Sequence, residues 1–191
     1  MQRVDDMAEK EVDNGVNAEA LLGARAHLMT APEAAQFTWR ATCEWVGGTY
    51  SKSSTKGFFG LGEEQAHKAE YNFESDHPAC FAAEDRAATP VEMILASLAH
   101  CITGSIAAVA QNWKIQLHSV TSTVEGRMNV LGILGGDPEI RNGFESIVVK
   151  YKIDADASDD DIQALVAHAQ NRSAAFDIIT NPTNVKVEVN Q

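Results

Sequence analysis

Residues 89–110 read Thr-Pro-Val-Glu-Met-Ile-Leu-Ala-Ser-Leu-Ala-His-Cys-Ile-Thr-Gly-Ser-Ile-Ala-Ala-Val-Ala, a run with few polar interruptions. A helix that is apolar on every side predicts burial on every side. Residues 91–110 come close to the length that spans a bilayer. They carry Glu92, Ser97, His100, Thr103 and Ser105, however, and no close basic flank, so the expectation is a buried core helix and no membrane insertion. The start of the helix is written locally. Thr89 suits the N-cap, Pro90 the first helical position, and Glu92 the third, where a capping box needs its acid. Near the middle of the run lies Cys101, its one strong soft nucleophile.

A chain of 191 residues supports one domain with a sizeable core. Fifteen Lys and Arg against 27 Asp and Glu give a net charge of −12, which excludes nucleic acid and an anionic membrane as expected partners. The first residues lack the apolar core of a signal peptide. The three cysteines, Cys43, Cys80 and Cys101, are odd in number and far apart, the usage of a cytoplasmic protein with free thiols.

Residues 1–35 predict an N-terminal helical arm, partly disordered at its start and closed by Pro32; residues 36–191 predict the domain proper. From Phe37 the period changes to two. Phe37, Trp39, Ala41, Cys43 and Trp45 alternate with polar residues, predicting a half-buried strand that places Cys43 on its apolar side, with Gly47-Gly48 as hairpin turn. A Ser/Lys/Gly-rich stretch follows and predicts a loop. Alternation around Ala69, Tyr71 and Phe73 predicts another strand, and residues 76–86 an irregular lead into the apolar helix. Strands follow at 119–125 and 144–153, separated by a Gly-rich turn region at 132–143. Ser158 before Asp159-Asp160-Asp161 predicts the N-cap of a helix whose inner face is Ile162, Leu165, Val166 and Ala169. Val185, Val187 and Val189 predict a closing strand over 184–190. Blocks of strands around one buried and one amphipathic helix predict an α+β fold with antiparallel sheets wrapped around a long central helix. The small residues Ser97, Cys101, Gly104, Ser105 and Ala108 share a face of that helix, which predicts a homodimer with helices packed across a two-fold axis.

Cys101 is the leading candidate for chemistry. Burial among alkyl groups raises a thiol's pKa, so a working Cys101 needs a cation or hydrogen-bond donor brought in from elsewhere; inert core packing is the other reading. Arg86, just before the helix, could fold back over the thiol, or be a solvated loop charge. Glu92 precedes Cys101 by about two and a half helical turns, which puts it on the opposite face and favours capping over catalysis. Cys80 is the one plausible second thiol. His77 and the other histidines show no metal-ligand spacing, and no phosphate loop or cofactor motif is present.

The chain resembles the OsmC-like family, which includes osmotically inducible protein C and the organic hydroperoxide resistance proteins, from about residue 37 to residue 189. The resemblance rests on Glu44-Trp45-Val46-Gly47-Gly48, Asp76-His77-Pro78, Glu84-Asp85-Arg86, the run from Thr89 to Thr103, Gly143-Phe144, Asp156-Ala157-Ser158 and Ser173-Ala174-Ala175-Phe176-Asp177. It implies an intertwined homodimer with active sites at the subunit interface. There a cysteine at the position of Cys101 attacks the O–O bond of an organic hydroperoxide, an arginine and a glutamate activate it, and a second cysteine closes a disulfide. This chain departs at three places: Ser173 stands where the resolving cysteine is expected, Thr49 where the hairpin arginine is, and Val91 where the glutamate is, one residue before Glu92. Two functional expectations follow. One is a thiol oxidoreductase that reduces hydrophobic hydroperoxides at Cys101, with an external thiol, or Cys80, as resolver. The other is a non-catalytic module binding an apolar small molecule such as an acyl chain.

Overall fold

The structure, a computed structural model, describes residues 11–189. The expected disorder at the very start of the arm, and Asn190 at the end of the expected last strand, lie outside those residues. The chain forms two compact units: Glu19–Ala96, and a second that runs through Ala18 and resumes at Ser97.

In the unit Glu19–Ala96, the arm forms α1 (Ala18–Thr30), no residue of which is buried, followed by a 3-10 turn at Pro32–Ala35. Three antiparallel strands follow in the order β1 (Thr42–Gly47), β2 (Tyr50–Gly60) and β3 (Glu63–Ser75). The hairpin forms one residue later than the expected Gly47-Gly48: Gly47 still pairs with Tyr50, Gly48 and Thr49 make the turn, and Gly48 takes a left-handed φ of 58°. The Ser/Lys/Gly-rich stretch expected as a loop is instead β2, the middle strand. Its Ser and Thr residues give no apolar period, yet its backbone is paired on both sides. The first strand also begins later than its period suggests. Phe37 and Trp39 precede β1, and Thr38 makes only an isolated bridge to Phe59. Cys43, expected in the core, is exposed, and Trp45 is 76% exposed, because nothing within the described chain covers that face of β1.

The loop before the apolar helix is tied to the hairpin by Asp76, which is 2% exposed. Its carboxylate accepts from the Thr49 hydroxyl at 2.6 Å and from the N–H groups of His77 at 2.8 Å and Arg86 at 3.2 Å. The Thr49 bond, then those two amides and the Arg86 charge, outweigh burial and hold the carboxyl below its ordinary value. The stabilisation from this carboxylate is therefore full above the unfolded pKa of about 3.9 and is lost as pH falls through the lower folded value.

The apolar run forms α2 (Pro90–Trp113). Its capping box is present: the Glu92 carboxylate accepts from the Thr89 N–H and hydroxyl, both at 2.8 Å, and the Glu92 N–H donates back to the Thr89 hydroxyl at 3.3 Å. By length and composition α2 could cross a membrane. In the folded chain it buries one face only, not all sides as expected. Leu98, Ile102, Ile106 and Ala110, spaced one turn apart, enter a core with Ile115, Leu165 and Ala169. Opposite them stand β4 (Leu117–Arg127) and β5 (Ser146–Ala155), an antiparallel pair whose inward residues Val120, Val124, Val149, Tyr151 and Ile153 pack on that core. The side chains between them point outward and are mostly polar or charged, as with Lys150 and Glu125 at 2.7 Å.

The helix α3 (Asp159–Gln170) begins as predicted, with the Ser158 hydroxyl accepting from the Asp161 N–H at 3.2 Å. Leu165 and Ala169 on its inner face are fully buried. The short α4 (Ala174–Thr180) follows. The expected closing strand is not formed: residues 182–189 pair with nothing described, and Val187 is 87% exposed. An alternating pattern specifies a strand only when a neighbouring edge exists to receive it.

Candidate functional site

Cys101 lies three residues past Leu98 and one before Ile102, at the margin of the buried face of α2, and its thiol is half-buried. The chain delivers a second element to it through the core. Leu165 and Ala169 lock α3 against α2, and the chain then turns tightly after Gln170, whose carbonyl accepts from the Ser173 N–H at 3.0 Å. Ser173, 3% exposed, becomes the N-cap of α4, its hydroxyl accepting from the Phe176 N–H at 3.1 Å. Ala175 and Phe176, just beyond, pack on the same core. This turn carries three donors near the sulfur: the Ala175 N–H, the Ser173 hydroxyl and the Ala174 N–H. Burial pushes the Cys101 thiol up, but these three donors together outweigh it and hold the pKa below the ordinary thiol value. Such a group is a thiolate more of the time, and the thiolate is the nucleophile.

The other residues singled out by sequence have surroundings of their own. Glu92 is the capping acid, as its spacing from Cys101 suggested, and the Thr89 backbone and hydroxyl bonds hold its carboxyl low. Arg86 does not act as a free cation. Its guanidinium pairs with Glu84 and stands 5.0 Å from the centre of the Tyr50 ring. Thr49, at the place of the expected hairpin arginine, is committed to Asp76. Thr49 and Arg86 border a cavity of about 480 Å³ whose lining includes Gly48, Tyr50, Asp76 and Glu84. Cys80 sits exposed in a 3-10 turn at Ala79–Phe81. Ser105, a helical turn from Cys101, donates its hydroxyl to the Cys101 carbonyl at 2.9 Å and not to the sulfur. Among the described residues no cluster of His, Cys, Asp or Glu could hold a metal.

Sequence reasoning noted Ser173 only as a lost cysteine and missed the amides of Ala174 and Ala175. The available signal was local. Serine before a short apolar helix is an N-cap, and the first amides of a helix are unsatisfied donors.

No curated protein matches the chain. Among solved structures, an OsmC-like protein from Mycoplasma pneumoniae has a TM-score of 0.56 at 13% identity, covering 75% of this chain and 87% of the other. An organic hydroperoxide resistance protein OsmC from Legionella pneumophila has a TM-score of 0.51 at 21% identity, covering 74% of this chain and 89% of that one. An OsmC-like protein from Vibrio cholerae has a TM-score of 0.52 at 9% identity, covering 73% and 91%. At these identities the likeness is one of fold. The sequence profile of the OsmC-like proteins matches residues 83–188, which hold α2 with Cys101, both strands of the second sheet, and the Ser173 turn, and by that match the chain belongs to the OsmC-like family.

Proposed function

We propose that this protein reduces organic hydroperoxides at Cys101. The observation that carries the reading is a half-buried thiol held toward its thiolate by three donors from one turn. The thiolate attacks one peroxide oxygen, the O–O bond breaks, and the leaving alkoxide takes a proton to become an alcohol, while Cys101 becomes a sulfenic acid. An external thiol then attacks the Cys101 sulfur and releases water, and a second thiol frees the mixed disulfide. Ser173 stands at the position of a resolving cysteine and cannot form that bond, which favours an external resolver. The apolar surroundings of the site favour alkyl hydroperoxides over hydrogen peroxide. Cytoplasmic location, and the expectation of no cofactor and of neither nucleic acid nor membrane as partner, belong to the same reading.

Trapping tests it. Treated with cumene hydroperoxide and then dimedone, the protein is expected to carry the sulfenic-acid adduct on Cys101. An adduct confined to Cys43 and Cys80, or none at all, would overturn the proposal. The rival, a binding module for an apolar molecule, is favoured by the engagement of Thr49 with Asp76 and of Arg86 with Glu84. Its signature is a lipid retained through gentle purification alongside an unreactive Cys101.

The same reading includes a homodimer. The face of α2 bearing Ser97, Cys101 and Gly104 is not part of the core, and a Cβ added at Gly104 meets nothing within 4 Å. Gly104→Trp is therefore expected to leave the helix content of the chain unchanged and to convert a dimer to a monomer by light scattering. A variant that assembles like the wild type counts against packing across this face.

A further inference from the structure

Asparagine precedes glycine twice, at Asn14-Gly15 and Asn142-Gly143, and the two pairs are held very differently. Residues 12–14 lie against the exit of α2, where two glutamines grip their backbone. Gln111 accepts from the Asn14 N–H at 2.7 Å and donates to the Val12 carbonyl at 2.8 Å. Gln116 accepts from the Asp13 N–H at 3.0 Å and donates to the Asp13 carbonyl at 3.1 Å. The Asn14 side chain completes the clamp. Its Nδ2 donates to the Ile115 carbonyl at 2.8 Å, and its Oδ1 accepts from the Leu117 N–H at 2.9 Å. This site reads a carboxamide. A carboxylate at residue 14 keeps the acceptor but loses the donor, and sets an anionic oxygen against the Ile115 carbonyl oxygen.

Asn-Gly is the dipeptide most open to succinimide formation, because glycine places no side chain in the path of its own amide nitrogen. The Gly15 nitrogen loses its proton and bonds to Asn14 Cγ, the Cγ–Nδ2 bond breaks, and ammonia leaves. Water then opens the ring at either carbonyl to give aspartate or isoaspartate. The clamp opposes this twice. The carboxamide is fixed at both ends and cannot turn toward the nitrogen, and the Gly15 N–H is donated at 2.8 Å to the Asp13 carboxylate, an anion that disfavours its deprotonation. Asn142, by contrast, is exposed in the turn region between β4 and β5.

We propose that Asn14 is a deamidation-sensitive latch: the Gln111–Gln116 clamp both recognises its carboxamide and shields it, so that an arm left open long enough to deamidate no longer redocks. The proposal is independent of the chemistry at Cys101. Its test is a time course of the full-length protein in mildly alkaline buffer, followed by peptide mass mapping. Asn142 is expected to deamidate first, with Asn14 slower by about tenfold or more, since reaction there requires local opening. In Gln111→Leu the Asn14 rate should rise toward that of Asn142. Independently, Asn14→Asp in the full chain should speed hydrogen exchange at the Asp13 amide by about tenfold or more, a measurement that decides the matter even if Gln111→Leu fails to fold. Deamidation of Asn14 in step with Asn142 in the wild type, or unchanged exchange at Asp13 in Asn14→Asp, overturns the latch.

Discussion

Cys101→Ser is expected to lose hydroperoxide consumption down to the uncatalysed background, a fall of at least about a thousandfold for removal of an attacking nucleophile. The exchange of sulfur for oxygen is nearly isosteric, so the fold should persist, and an unchanged melting temperature separates lost chemistry from lost structure. A serine hydroxyl beside the same donors stays protonated at neutral pH and supplies no anionic nucleophile. Cys43→Ser and Cys80→Ser should retain the activity, both thiols being exposed. The pH dependence carries its own signature. The rate should rise with pH as the thiolate forms and level off at a midpoint below the ordinary thiol value of about 8.5, because the Ala175, Ser173 and Ala174 donors favour the charged form despite burial. Ser173→Ala removes one of those donors and should move that midpoint up. Equal turnover of cumene hydroperoxide by wild type and Cys101→Ser, with a dithiol as reductant, would sink the peroxidase reading outright.

Ile106→Ala carries the largest expected effect on stability. Ile106 is 0% exposed at the centre of the α2 face, with Ile102 and Ala110 a turn away on either side and Leu165 in the same core. Truncation there loses the transfer energy of the side chain and leaves a cavity that a helix pinned by its neighbours cannot close, for a cost of about 2–5 kcal/mol. Against a total of about 5–15 kcal/mol, such a loss moves the denaturation midpoint far. Ile178→Ala is the control: with that side chain 60% exposed, the midpoint should move by no more than about 0.5 kcal/mol in equivalent stability. Similar shifts for both would mean that the core is not where the α2 face places it.

What could be read from the sequence was local. Thr89-Pro90-Val91-Glu92 and Ser158-Asp159-Asp160-Asp161 state their caps within four residues, and both form as written. The β5 alternation also holds, because α2 and α3 supply the apolar cover its period implies. The misreadings arise where a neighbour decides. β2 has no apolar period, yet it is a strand because β1 and β3 pair with it on both sides. Val185, Val187 and Val189 have the period but no strand beside them among the described residues. Cys43 and Trp45 have the period of a covered face, but the described chain builds no core over them. At the candidate site, Cys101 could be singled out as the lone nucleophile of its helix. The donors that act on it come from a turn more than seventy residues downstream, and only the packing of α3 on α2 brings the two together. The glutamine clamp was invisible for the same reason: Gln111 and Gln116 recognise backbone atoms of residues about a hundred positions away.

The Ser173 hydroxyl gives the site one further property. It stands as a donor beside the sulfur but has no redox chemistry of its own, so it offers no partner that could capture an oxidised Cys101 before a second peroxide arrives. Under the proposed chemistry, the ratio of reductant to peroxide alone decides whether the sulfur returns to the thiolate or advances to the sulfinic acid, from which simple thiols do not recover it. At low oxidant load such a protein turns over; at high load each molecule is consumed once, like a fuse.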